Sequence, residues 1–220
     1  MPLSPPIKNL VFDFDGTLAD SFDAVCRIGM RLAREVGVSA ESPPVPEALR
    51  GKSTREVIRE LGIPLRSLPG WVNRVRTELK AEVPNLRPFP GVPEALHTLR
   101  ERGVVLAIMS SNSRENITAF LKNHDLDGVF AGLHTSSHLF GKSRSLRQLL
   151  RKTGMHPKET AYAGDEVRDI EAARKAELRA VAVSWGFNSR ELLARHHPDF
   201  LVDRPRQLHE TIPVSGAAEA

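Results

Sequence analysis

The chain has 220 residues, of which 40% are hydrophobic and 26% charged. That is an ordinary composition for a water-soluble globular protein with one moderate core. The net charge of +4 comes without a dense basic block interleaved with aromatics, so we expect no nucleic-acid partner. No apolar run approaches the ~20 residues that cross a bilayer, and we expect no membrane association.

The compartment is predicted from the chain start and from cysteine usage. The opening residues MPLSPPIKNL contain neither a basic region nor an apolar run of the secretory type. Cys26 is the single cysteine, so no internal disulfide can form. Both features are typical of a cytoplasmic protein, and we expect a monomer or a homodimer.

The first predicted element is a short buried strand over residues 7–13, and it runs directly into carboxylates. Asp13 and Asp15 follow the apolar run, and Gly16 comes next. Charge at the end of a buried strand is costly unless a metal ion or a substrate compensates for it. The alternative is a plain turn, since aspartate and glycine are common turn residues.

The next part of the chain carries helical signals only. Apolar residues recur at spacings of three and four, which predicts amphipathic helices. These segments are 21–37, 54–61 and 68–82. Proline-rich breaks stand at 41–47 and 83–91. The economical interpretation is a core domain of residues 1–16 and 87–214, an inserted helical cap of residues 17–86, and a loose tail at 215–220.

After the second break, short apolar strands alternate with amphipathic helices. The predicted strands are 104–109, 129–134, 160–163, 179–183 and 199–202. The predicted helices are 92–102, 114–123, 143–153 and 167–176, with a short one near the end. This alternation predicts an α/β fold with a parallel sheet and helices on both faces.

Polar residues follow three of the predicted strands. Asp13, Ser110 and Asp165 each stand where a strand ends, and Asp169 follows Asp165 by one helical turn. Ligands of parallel sheets bind at this carboxyl edge. Four carboxylates, the fourth being Asp15, would converge there, and such an oxygen-rich cluster suits Mg²⁺.

Lys142 adds a positive charge to the same predicted edge, because it begins a helix in the stretch FGKSRS. Metal, lysine and a small hydroxyl together suit phosphoryl transfer, which needs mainly positioning and charge neutralisation. Asp13 would attack phosphorus, Asp15 would exchange the proton, and Gly16 would let the chain turn out of the strand. The alternatives are a surface lysine at 142 and a helix-capping role for Ser110, with Ser111 as a rival to Ser110.

Four motifs carry a resemblance to a known family. They are DFDGTLAD, IMSSNS, GKS and GDEVRDIEAARKA, and they span nearly the whole chain. Together they resemble the haloacid dehalogenase superfamily of phosphohydrolases. The resemblance implies a Rossmann-like core, and the helical insert is similar to the small cap of the phosphoglycolate phosphatase and β-phosphoglucomutase branch.

The resemblance also implies a role for each motif residue. Asp13 would be the nucleophile, Asp15 the general acid and base, and Lys142 the charge stabiliser. Asp165 would hold Mg²⁺ together with Asp13 and Asp15, the latter through its carbonyl oxygen. Asp169 would be a further partner of the metal or of the lysine.

The phosphate oxygens would be contacted by Ser110 and by the backbone amides of Ser111 and Asn112. Two residues depart from the family pattern. Glu177 stands where a helix-ending glycine is usual, and Glu166 stands where a small residue is more common. The role of Glu166 is left open.

These observations predict a Mg²⁺-dependent phosphatase for a small phosphorylated metabolite, with phosphoglycolate as the leading substrate. The alternatives are a phosphomutase and a catalytically silent metal-binding protein. Selectivity would come from the cap, where Arg50 and Lys52 flank Gly51 in a basic stretch. A merely solvated loop is the alternative there.

Overall fold

A computed structural model describes residues 5–35, 46–60, 62–136 and 141–214. The predicted tail at 215–220 and most of the first proline-rich break lie outside these ranges. The strands are β1 (Asn9–Phe12), β2 (Val105–Ser110), β3 (Gly132–Thr135), β4 (Thr160–Gly164), β5 (Arg179–Val183) and β6 (Phe200–Val202). They form one parallel sheet in the order β3-β2-β1-β4-β5-β6.

The helices separate into an inserted group and a group that alternates with the strands. The inserted helices are α1 (Phe22–Glu35), α2 (Pro46–Arg50), α3 (Thr54–Glu60) and α4 (Leu68–Glu82). The others are α5 (Val92–Glu101), α6 (Arg114–Asn123), α7 (Lys142–Thr153), α8 (Val167–Lys175), α9 (Arg190–Arg195) and α10 (Gln207–Glu210). Within the described ranges, no helix has the length and apolar character needed to cross a membrane.

The central strand β1 explains why the site lies where it does. Leu10 and Phe12 join the larger apolar core on one face of the sheet, and Val11 joins a second core on the other face. A strand covered on both faces is apolar throughout, unlike the alternating strand of a half-exposed sheet. Phe12 pairs in register with Ile108 and Ala163, so the residues after β1, β2 and β4 emerge side by side.

The inserted helices pack on one another as well as on the sheet. Ile58, Leu68 and Val72 form a small cluster of their own. Gly29 of α1 lets α4 approach closely, since a Cβ at that position would lie 3.1 Å from Trp71 Cζ2. We propose that residues 17–86 form the cap.

The structure confirms the predicted parallel sheet with helices on both sides, and differs from the prediction in detail. The strand expected over 129–134 starts only at Gly132, and two helices were not predicted. These are α2 and α9, with five and six residues. Helices of that length show too little periodicity for a sequence pattern to reveal them.

Glu177 ends α8 in the left-handed region, with φ of 62°. The N–H of Leu178 donates to the Ala173 carbonyl at 3.0 Å, which is the bond that closes a helix of this type. The side chain of Glu177 is exposed. It therefore contributes no packing that would offset the cost of a Cβ in this conformation.

Glu177→Gly should stabilise the protein by about 1 kcal/mol, because glycine adopts positive φ without steric cost. For a chain of this size the melting temperature should rise by roughly 2–4 °C, measured by thermal unfolding. Lys175→Gly is the matched control. That exposed residue has helical geometry, so glycine there should lower the melting temperature. A decrease for Glu177→Gly would show that the left-handed glutamate carries no strain.

Candidate active site

Asp13 is the first residue after β1 and lies at the bottom of the site. Its N–H donates to the Ala163 carbonyl at 2.8 Å, which continues the pairing with β4. Its Oδ1 accepts a hydrogen bond of 2.8 Å from the N–H of Phe14. The carboxylate is only 2% exposed, so its charge needs compensation from the protein or a ligand.

Lys142 supplies part of that compensation. It begins α7, and its ammonium group, 2% exposed, forms ion pairs with Asp13 and Asp169. Burial lowers the pKa of Lys142, but the two carboxylates outweigh burial and raise the pKa above its usual value. The interpretation as a surface lysine is therefore wrong.

Three buried carboxylates form a compact acidic group, defined here as Asp13, Glu166 and Asp169. One oxygen of each lies within 4.8 Å of the others. Burial raises the pKa of Asp169 to about 6, with Lys142 acting in the opposite direction. Hard carboxylate oxygens at such spacing fit a divalent cation such as Mg²⁺.

Asp165 is fully buried, but its oxygens are not among those of the acidic group. Its Oδ1 accepts from Thr17 Oγ1 at 2.7 Å, and its Oδ2 accepts from the N–H of Phe187 at 2.7 Å. Burial and the nearby Glu166 raise the pKa of Asp165 well above its usual value. Gly16 makes this approach possible, because a Cβ there would lie 2.2 Å from Asp165 Oδ2.

Glu166 is the site residue whose role the sequence left open. It accepts hydrogen bonds from Thr54 of the cap and from Arg168, the latter at 2.6 Å. Burial opposes ionisation, but Arg168 and then Lys142 hold the pKa of Glu166 below its usual value. The acidic group and Asp165 thus give four buried carboxylates near only two cations, Lys142 and Arg168. The surplus of negative charge is a further reason why a bound cation fits here.

Asp15 lies on the rim of the site and is held by side chains from two elements. Its carboxylate accepts from Ser21 Oγ at 2.9 Å and from Asn112 Nδ2 at 3.0 Å. Burial and then Asp13 raise the pKa of Asp15 to about 6.

The loop after β2 contains the predicted phosphate contacts. Ser110 is buried, and its Oγ accepts from the N–H of Asn112 at 3.0 Å. The helix cap of α6 is Ser113, so Ser110 does not cap that helix. Ser111 is half-buried and lines the adjoining cavity. The phosphate-binding roles of these residues stay predictions.

A cavity of about 180 Å³ lies between the cap and the core and reaches Asp15. We call it the cap cavity. Lys52 lines it, with its ammonium 2.6 Å from the Glu60 carboxylate. Arg50 contacts the Gly186 carbonyl and lies 4.0 Å from the centre of the Phe22 ring. The structure therefore gives both predicted cap residues partners within the protein.

Comparison with known proteins identifies the family. The family model described as haloacid dehalogenase-like hydrolase matches residues 10–183. The chain therefore belongs to this family. Its predicted membership, fold class and assignment as a phosphoric monoester hydrolase are confirmed.

Particular relatives extend over most of the chain. A phosphoglycolate phosphatase of Synechococcus elongatus is 39% identical over 94% of this chain and 97% of its own length. A pyrophosphatase, PpaX, of Oceanobacillus iheyensis is 22% identical over 90% and 92%. The crystal structure of a predicted phosphatase from Clostridium acetobutylicum has a TM-score of 0.81 at 20% identity, covering 94% of this chain and 98% of its own. That structure supports the fold.

The raised pKa of Asp15 predicts a pH-dependent effect on stability. An unfolded chain holds this pKa near 3.8, and the folded protein holds it at about 6. Between these values only the folded state keeps the proton, so the free energy of unfolding falls as pH rises from about 4 to about 6. Above pH 6 the full penalty remains.

Asp15→Asn removes this penalty of about 3 kcal/mol and should raise the melting temperature at pH 7.5 by roughly 6–12 °C. The gain should vanish near pH 4. Thermal unfolding in EDTA across this range measures it, because a bound cation would shift the pKa of Asp15. Parallel pH profiles for the variant and the wild type would contradict the assignment.

Proposed function

We propose that this protein is a Mg²⁺-dependent phosphatase that hydrolyses a small phosphate monoester through a phosphorylated Asp13. The main supporting observation is the arrangement around Lys142. A buried lysine joins the candidate nucleophile to Asp169 beneath a cavity on whose rim Asp15 lies. An active site that transfers phosphate needs this combination of a positioned oxygen, a positive charge and a proton donor.

In the proposed first step, a carboxylate oxygen of Asp13 forms a bond to phosphorus, and the bond from phosphorus to the leaving oxygen breaks. Asp15 gives its proton to that oxygen, so the product leaves as an alcohol. In the second step Asp15 takes a proton from water, whose oxygen bonds to phosphorus and releases the carboxylate of Asp13 and inorganic phosphate. The pKa of about 6 for Asp15 favours both roles near neutral pH.

Lys142 and a bound cation would both offset the negative charge of the carboxylates and the phosphate. The ammonium of Lys142 offsets the charge of Asp13 and orients its carboxylate. Asp13, Glu166 and Asp169 would hold Mg²⁺, and the family pattern adds Asp165 and the carbonyl of Asp15. The bound ion would supply positive charge toward the phosphate oxygens.

Phosphoglycolate is the proposed substrate, because its phosphatases are among the relatives that align along most of this chain. We expect the enzyme to act in the cytoplasm. The phosphomutase and the silent metal-binding protein are the outcomes against which this proposal is tested. A phosphomutase would transfer the phosphate to a second sugar hydroxyl, and a silent protein would release none.

Asp13→Asn should abolish phosphate release from phosphoglycolate and from p-nitrophenyl phosphate, because an amide is a poor nucleophile. Release of inorganic phosphate under saturating substrate measures it. Asp127→Asn is the matched control, since Asp127 is exposed on the core surface and should keep wild-type turnover. Turnover near the wild-type rate in Asp13→Asn would exclude the covalent mechanism.

Removal of divalent cations by EDTA should abolish activity, and Mg²⁺ should restore it. Ca²⁺ should restore it poorly, because its larger and looser coordination shell does not hold oxygens in octahedral geometry. The measurement is phosphate release after dialysis and readdition of each ion. Full turnover in EDTA would refute the metal assignment.

A further inference from the structure

On the proposed function, the leaving group of a monoester lies in the cap cavity. Asp15, the proposed proton donor, stands on its rim, and the donor has to reach the leaving oxygen. The walls beyond Asp15 are mostly apolar side chains of the inserted helices, such as Val25, Ile58 and Val72. A polar group that faces such walls is therefore informative about the ligand.

Two residues of α4 that line this cavity each carry a buried polar atom without a hydrogen-bond partner. Among the described residues, four buried side-chain donors or acceptors have no hydrogen-bond partner, and two of them are Trp71 Nε1 and Arg76 Nε. Both residues line the cap cavity. Buried donors are nearly always satisfied in native proteins, so this pair indicates an acceptor-bearing ligand.

Arg76 is also held firmly in place. Its Nη2 donates to the Ser136 carbonyl at 3.0 Å, and its own carbonyl accepts from Asn116 Nδ2 at 3.0 Å. Asn116 donates to Asn112 Oδ1 at 3.0 Å, and Asn112 donates to Asp15. The same hydrogen-bonded chain thus orients the cap arginine and the proposed proton donor.

Arg76 differs from the neighbouring cations in having no carboxylate partner among the described residues. Arg168 is paired with Glu166 and Lys52 with Glu60. Among the ion pairs of the described residues, none joins Arg76 to a carboxylate. Burial lowers the pKa of Arg76, whereas the negative charge of Asp15 acts to raise it. A second carboxylate in the cavity would complete the pairing that Asp15 provides only at a distance.

We infer that Arg76, assisted by the indole N–H of Trp71, binds a carboxylate on the leaving group and thereby sets the preference for an acidic monoester. This inference rests on the proposed phosphatase function. A guanidinium presents parallel N–H donors that match a carboxylate. The apolar walls lower the local dielectric constant and so strengthen the attraction.

Three phosphate monoesters of similar size test this inference by the charge of the leaving group. The alcohol released from phosphoglycolate carries a carboxylate. The alcohol released from 2-hydroxyethyl phosphate is neutral, and the one released from phosphoethanolamine is cationic. The quantity measured is kcat/KM for each in Mg²⁺. The wild type should prefer phosphoglycolate over the other two.

Arg76→Gln should lower kcat/KM for phosphoglycolate by roughly 10- to 100-fold, which corresponds to losing a charged hydrogen-bonded pair. It should change the neutral substrate by less than about threefold, because Arg76 contacts no phosphoryl group in this account. Trp71→Phe, which keeps an aromatic ring but has no N–H donor, should reduce the preference by a smaller factor. Arg74→Gln is the matched control, since Arg74 is exposed two residues away and pairs with Glu35.

The outcomes separate the two proposals. A wild type that prefers phosphoglycolate and an Arg76→Gln variant with the same preference would overturn the role of Arg76 and leave the proposed function standing. A wild type that releases phosphate from none of the three esters would overturn both. If Arg76→Gln does not fold, Arg76→Lys keeps the charge but lacks the Nε–H donor. An unchanged preference in Arg76→Lys and in Trp71→Phe would equally overturn the inference.

Discussion

A lysine ammonium buried between two carboxylates is the interaction on which this site depends. Lys142 joins Asp13 after β1 to Asp169 on α8, so three separate parts of the chain meet at one point. Removing Lys142 would leave two buried carboxylates without their cation, which costs far more than the ion pairs contribute. The alignment of β1 with β2 and β4 brings the remaining groups to that point.

The negative charge around this lysine exceeds what the protein neutralises. Burial and like charge hold the pKa of Asp15 and that of Asp169 each at about 6. A divalent cation and a phosphoryl group would together turn this arrangement into a catalytic one, because the cation offsets the surplus and the raised pKa of Asp15 supplies a proton. The surplus of buried negative charge is thus what suits this site to a cation and a phosphoryl group.

Much of the fold and of the candidate site was predictable because the motif residues stand at fixed offsets from apolar strands. Strand ends place Asp13 and Ser110 at the sheet edge, and the start of the helix in FGKSRS places Lys142 there. The contacts of Glu166 and Arg76 depend on how α3 and α4 pack against the core, which no local pattern encodes. A trace was present for Arg76, which follows Val72 by four residues and so lies on the apolar face of α4. The short helices α2 and α9 left no periodic signal.

The central claim is that Asp13 carries the phosphate between the two chemical steps. It is tested most directly by quenching the enzyme with acid during turnover and reducing the protein with borohydride, which converts an aspartyl phosphate to homoserine. Peptide mass spectrometry should then find homoserine at position 13 in samples with both substrate and Mg²⁺, and aspartate at that position in samples lacking either. Undiminished turnover with aspartate alone at position 13, or with homoserine at another aspartate, would contradict the account.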